Sequence, residues 1–163
     1  MSKNQLSQAL IWIDSILKRK NIPYQITGGF AAYIYGATRK INDIDIDLPE
    51  DKFKSIISDI KPYITYGPDH YHDEKWDLQL ITLNYKEQEI DLGGAFNTKI
   101  YNNSIKSWQN IPANLENVKI MKVFDILVPV INPDDLVYYK SLLNGDHQME
   151  DIEAVKQFTK NNQ

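Results

Sequence analysis

With 163 residues, a formal net charge of −4 and the composition of an ordinary soluble protein, the chain reads as one domain, 1–163, large enough for a real core. It contains no cysteine, which excludes disulfides, zinc–thiolate sites and cysteine nucleophiles. The acidic balance argues against broad nucleic-acid binding, and no apolar run is long enough to span a bilayer or form a secretory core, so a cytoplasmic protein without membrane contact is expected.

Leu6, Leu10, Ile13 and Leu17 recur at helical spacing, which predicts an amphipathic helix over 2–20. Ser2 and Gln5 suit a capping box at its start. Lys18, Arg19 and Lys20 suit the negative end of its dipole, with a small phosphate-binding cluster as the alternative reading. Asn21-Ile22-Pro23 breaks the helix before a short extended run over 24–26. Gly28 and Gly29 then allow a sharp turn and a close backbone approach to a ligand. The short helix that follows points its free N–H groups back at that turn, and Gly36 suits its stop. The next strand, over 43–47, alternates Asp with Ile, so Asp43, Asp45 and Asp47 share one face and Ile44 and Ile46 the other. Three like charges in a row are tolerable when exposed, as on an acidic sheet edge, or when a divalent cation neutralises them.

A helix is expected over 49–60, with Phe53, Ile56, Ile57 and Ile60 inward, and a short strand over 63–66 that Gly67-Pro68 ends. Residues 69–74 read as an acidic solvated loop beside the cleft. Its His70 and His72 leave open a metal site or a contact with a second substrate. Strands are expected over 76–83, with Leu78, Leu80 and Thr82 on one face, and over 88–92, joined by a turn at Asn84-Tyr85-Lys86. On the second of these, Glu87, Glu89 and Asp91 share a face opposite Ile90 and Leu92. Residues 93–117 read as loops with room for an extra hairpin. A strand over 118–123 follows, and Pro129 makes 126–131 an edge strand or an extended connector. Asn132-Pro133-Asp134-Asp135 is a helix start, a cap followed by proline and two acids, for a helix stopping near Asn144-Gly145. A final helix holds Asp151-Ile152-Glu153-Ala154-Val155 and Phe158. Strands alternating with helices imply an α/β layer.

Gly28-Gly29 before a short helix, Arg39 four residues ahead of Asp43-Ile44-Asp45, and Asp91 between two apolar residues resemble the nucleotidyltransferase superfamily, the DNA polymerase β-like fold. The likeness is to its small bacterial members, antibiotic nucleotidyltransferases and AbiEii/MNT-like toxins. It covers residues 24–92 well and 128–155 loosely, where a Pro-acid-acid-Leu helix start, Lys140 one turn on and the Asp-Ile-Glu helix also match. Gly145-Asp146-His147-Gln148 departs from the basic residues usual before the last helix.

The resemblance implies an α/β (α+β) fold, a mixed β-sheet core over about 21–131 flanked by helices, with a C-terminal helical pair over about 132–160. It implies a nucleotidyltransferase that moves an NMP from an NTP, ATP among them, to a hydroxyl-bearing acceptor, a small molecule, a protein or a tRNA, and releases pyrophosphate. Asp43, Asp45 and Asp91 would be catalytic and hold Mg²⁺ or Mn²⁺. Asp45 with Asp47 is a second possible metal pair, and Glu89 an alternative to Asp91. Gly28, Gly29, Arg39 and Lys140 would bind the nucleotide. For Arg39 the alternative is a structural salt bridge with an aspartate, and for Lys140 a plain exposed lysine. The alternative function is a catalytically degenerate partner protein in a toxin–antitoxin-like system.

Overall fold

The computed structural model of the chain describes residues 3–163. Helix α1 (Lys3–Arg19) buries the Leu6, Leu10, Ile13 and Leu17 stripe; the expected Ser2 cap lies outside the described residues. Strand β1 (Gln25–Thr27) runs into helix α2 (Gly28–Ile34), and β2 (Asp43–Leu48) follows. A 3-10 turn over Glu50–Lys52 leads into α3 (Phe53–Ile60). Strands β3 (Ile64–His72), β4 (Trp76–Tyr85) and β5 (Gln88–Gly94) form a meander. Hairpins β6 (Lys99–Asn102) with β7 (Ser107–Asn110) and β8 (Lys119–Val123) with β9 (Ile126–Val130) come next. Helices α4 (Pro133–Leu142) and α5 (Asp146–Asn161) close the chain as a packed pair.

The strands make one mixed sheet in the order β7-β6-β4-β5-β2-β1-β9-β8, with β3 paired to β4. β2 runs parallel to β5 and β1 parallel to β9, while the other pairs are antiparallel. This mixed sheet with flanking helices is the expected fold class. The period of two along β2 and β5 separates its faces. Ile44, Ile46, Leu48, Ile90 and Leu92 are buried on one side, in an apolar cluster with Leu10, Ile13, Ile56 and Ile60 of α1 and α3. Each such side chain contributes roughly 1.5–3 kcal/mol through burial. The aspartates are left facing the other side.

Three segments differ from the sequence expectation. β3 does not end at Gly67-Pro68. Register shifts absorb that dipeptide as an irregularity, and pairing resumes from Asp69↔Leu80 to His72↔Asp77. Gly67 has φ +73, and a Cβ there would lie 2.2 Å from the Leu80 carbonyl oxygen, so the kink needs glycine. Pro68 is tolerated because β3 is bonded only to β4. Residues 69–72 are therefore strand rather than loop. β9 is neither an edge nor a connector, since it lies between β1 and β8. Its register with β1 is the single pair Ile26↔Val130, which leaves Pro129 outside that pairing. α5 begins at Asp146, a turn ahead of the Asp-Ile-Glu run. Residues 99–110 form the extra hairpin. Among the described residues no helix is long and apolar enough to cross a membrane.

Asn132 caps α4 as its sequence suggests, its side-chain oxygen accepting the Asp134 N–H at 3.0 Å. α4 carries Tyr139 and Lys140 to the cleft. Asn132→Ala is expected to cost about 1 kcal/mol and to lower the melting temperature by roughly 2–4 °C. An unchanged melting curve would show that this cap contributes nothing to holding α4.

Candidate active site

The parallel register of β2 and β5 sets Asp45 directly opposite Asp91 and Asp43 opposite Glu89. Asp43 stands two residues along from Asp45 on the same face. One carboxylate oxygen from each of Asp43, Asp45 and Asp91 lies within 4.8 Å of the others. Among the described residues this is the one group of His, Cys, Asp or Glu whose ligand atoms converge in this way. Thr82 on β4 donates its hydroxyl to Asp91 Oδ1 at 2.6 Å and fixes that side chain.

The electrostatics follow from this crowding. Burial, with the neighbouring charges of Asp43, Asp91 and Asp47 adding to it, pushes the Asp45 carboxyl well above the usual range. Burial also raises Asp43, against the pull of Arg39. Asp91 is pushed up to about 6, chiefly by burial, although the Thr82 hydrogen bond opposes the shift. Asp47, one strand step further, rises to about 7 through burial and accepts Gln25 Nε2 at 2.8 Å. Three converging oxygen donors that repel one another suit a hard divalent cation such as Mg²⁺ or Mn²⁺, which binds through oxygen and neutralises the excess charge.

The glycine turn lies against this trio. Gly28 has φ +65, and a Cβ on it would sit 2.0 Å from Asp45 Oδ2. Both conformation and space therefore demand glycine. At Gly29 a Cβ would meet Arg39 Nη2 at 2.4 Å, so a larger residue there would have to displace the guanidinium. The Gly28 N–H donates to the Tyr139 hydroxyl at 2.9 Å. Arg39 donates Nε and Nη2 to the two oxygens of Asp151, both at 2.7 Å. Lys140 is not an exposed lysine: it is 3 % exposed, its Nζ 2.9 Å from Asp151 Oδ2 and 2.9 Å from Gln148 Oε1. Burial draws its pKa down while Asp151 opposes the change. Asp151 stays below the usual carboxylate range despite its burial, because both cations hydrogen-bond to it.

All seven residues singled out from sequence, Asp43, Asp45, Asp91, Gly28, Gly29, Arg39 and Lys140, line one cleft of about 930 Å³. α4 and α5 form one wall, with Asp135, Tyr138 and His147. Residues 111–114, in the stretch left without a role, form part of another. Thr82, Tyr139, Gln25 and Asp151 were missed, since their roles depend on partners distant in sequence. His70 and His72 both face Asp77, at 2.5 Å and 3.6 Å, about half exposed, and are no part of the converging group.

The mixed sheet with its flanking helices is a fold that solved structures of nucleotidyltransferases share along nearly the whole chain. TM1012 of Thermotoga maritima, described as a candidate nucleotidyltransferase, superimposes with a TM-score of 0.71 at 16% identity, over 99% of this chain and 96% of its own. The lincosamide antibiotic adenylyltransferase LnuA, solved with lincomycin, gives 0.62 at 14% identity over 97% and 98%. ANT(2″)-Ia, solved with adenylyl-2″-tobramycin, gives 0.61 at 12% identity over 97% and 99%. No protein-family model and no curated sequence matches the chain. At these identities the likeness is one of fold, in the form that antibiotic nucleotidyltransferases take.

The raised carboxylates have a signature in stability. Below about pH 4 both folded and unfolded chains hold these protons, and the cluster costs nothing. As pH rises from the ordinary value of 3.8 through the folded values of about 6 for Asp91 and about 7 for Asp47, the unfolded chain loses protons first and stability falls. Asp45→Asn removes the most perturbed charge. In EDTA it is expected to raise the melting temperature at pH 7.5 relative to wild type, with the gain shrinking toward zero near pH 4. A variant that melts lower at pH 7.5 would mark Asp45 as structural.

Proposed function

We propose that this chain is a metal-dependent nucleotidyltransferase that moves an NMP from an NTP to a hydroxyl of a small-molecule acceptor and releases pyrophosphate. The observation that carries the reading is the convergence of Asp43, Asp45 and Asp91 beside a glycine turn, at the floor of a cleft of about 930 Å³. That volume suits a nucleotide with a compact acceptor. The lincomycin and the adenylyl-tobramycin named for two of the structures with this fold favour a small-molecule acceptor over a protein or a tRNA. ATP is the first donor to try, because both names refer to an adenylyl group. An enzyme fed by NTPs belongs in the cytoplasm.

Asp43, Asp45 and Asp91 would hold Mg²⁺ or Mn²⁺, which when bound screens the triphosphate and lowers the pKa of the acceptor hydroxyl. The acceptor oxygen attacks the α-phosphorus, a new P–O bond forms, the bond to the bridging oxygen breaks and pyrophosphate leaves. Asp91 takes the hydroxyl proton. Thr82 aims that carboxylate by donating its hydroxyl to Asp91 Oδ1. Gly28 brings the backbone close, but its N–H is committed to Tyr139. The first-turn N–H of Gly29 is then the donor offered to a phosphate. Arg39 and Lys140 supply positive charge on the same side of the cleft.

The test is incubation with each α-labelled NTP and Mg²⁺ or Mn²⁺, with lincosamides, aminoglycosides and a cell extract as acceptors, followed by mass analysis of what gains an NMP. Asp43→Asn, Asp45→Asn and Asp91→Asn should each lower transfer by two or more orders of magnitude, since metal-stabilised charge is worth several kcal/mol and each tenfold about 1.4. Asp47→Asn should be milder, because Asp47 stands beyond the converging group and is held by Gln25. Transfer lost with Asp47→Asn but kept with Asp43→Asn would make Asp45 and Asp47 the working pair. Transfer indifferent to every one of these changes would remove this strand from the chemistry.

A further inference from the structure

Helix α5 sends one charged side chain inward, toward the wall of the cleft. Asp151 is fully buried, 0 % exposed, where an unpaired carboxylate would be costly. Two cations from different elements meet it. Arg39, on the segment between α2 and β2, spans both its oxygens with a planar fork, the geometry that fixes a guanidinium most firmly. Lys140, on α4, reaches Oδ2 at 2.9 Å and is steadied by Gln148. Within this group of three, one positive charge is left over, and beyond Asp151 the acids acting on the two cations are Glu150 and Asp43 for Arg39 and Asp45 for Lys140. Arg39 and Lys140 line the cleft with Asp43 and Asp45, and Asp151 stands behind them. The guanidinium also rests on the glycine turn, where a Cβ on Gly29 would strike Nη2. Arg39 Nη1 has no hydrogen bond among the described residues.

A cluster meant only to fasten α5 has no use for a second cation, and buried ion pairs are poor sources of net stability. Two cations fixed by one shared anion, with charge left over and a glycine turn beside them, suit the reception of further negative charge. We propose that Asp151 is a positioning residue of the nucleotide subsite, holding Arg39 and Lys140 against the cleft wall so that the triphosphate of a bound NTP meets cations already in place; the assignment rests on the nucleotidyl-transfer reading above. Arg39 and Lys140 touch the phosphates, and Asp151 acts through them.

Calorimetry on the full chain with Mg²⁺ and no acceptor tests this, using the four NTPs and the matching NMPs. Wild type, Asp151→Asn and Arg39→Lys are compared at a temperature where each shows native circular dichroism. The wild type is expected to bind at least one NTP. Asp151→Asn should weaken that NTP at least tenfold and its NMP distinctly less, because the loss concerns the phosphate chain. Arg39→Lys keeps the charge, leaves Asp151 paired and gives up the fork; it should weaken the NTP at least threefold. Equal NTP affinity in a folded Asp151→Asn, or equal loss for NTP and NMP, would overturn the assignment. Should Asp151→Asn fail to fold, Arg39→Lys decides, and unchanged NTP affinity there overturns it as well. A wild type that binds none of the nucleotides overturns the nucleotidyl-transfer reading and this assignment together. A wild type that binds one as tightly as both variants do overturns the assignment alone.

Discussion

Three carboxylates forced together on one sheet face are the constraint around which this molecule is built. Their proximity follows from backbone register. β2 and β5 run parallel with Asp45 opposite Asp91, and the two-residue period returns Asp43 to the same face. Nothing in folding favours such a cluster. Burial and mutual repulsion lift its protonation equilibria, so holding it ionised costs stability that the apolar face beneath must supply. Ile44, Ile46, Ile90 and Leu92 lie on that opposite face of the same two strands. One pair of strands thus carries both the apolar anchor and the charged cluster.

The surroundings can be read as responses to that charge. Gly28 gives Asp45 room that any larger residue would take. Thr82 fixes Asp91, and Gln25 engages Asp47. Arg39 and Lys140 both act on Asp43 to oppose its raised carboxyl, and both are held by a buried aspartate from the last helix. Breaking a buried pair of this kind by removing one partner is far more costly than never having built it. The C-terminal helices are therefore tied to the cleft by charge as well as by packing.

Much of this was legible in the sequence because it is local. Alternating Asp and Ile specify a strand with two unlike faces, and Gly28-Gly29 before a helical run specifies a turn. The order Asn132-Pro133-Asp134-Asp135 specifies a helix start, and Asn132 does cap it. What escaped depends on partners far along the chain. Arg39 and Asp151 are 112 residues apart, so an aspartate partner for Arg39 could be considered but not named. Lys140 is legible as a nucleotide-binding candidate, but a plain exposed lysine stays open beside that reading because its burial is made possible by the same distant Asp151. Thr82 stood on the correct face of β4, but the register that brings its hydroxyl to Asp91 is set by pairing. Pro68 reads as a strand end and Pro129 as the mark of an edge strand or an extended connector. Each is accommodated where a neighbouring strand asks for no N–H, which only the sheet order reveals.

The central claim is that Asp43, Asp45 and Asp91 form a divalent cation site serving a nucleotide. Its most direct test is a crystal structure of the full chain grown with Mn²⁺ and a non-hydrolysable ATP analogue, with data collected at the manganese edge. The expected result is an anomalous peak bonded to oxygens of Asp43, Asp45 and Asp91 and to the phosphate chain, with that chain lying between the Gly28-Gly29 turn and Arg39. Manganese on Asp45 and Asp47 without Asp43, or an analogue bound elsewhere on the molecule, would contradict it.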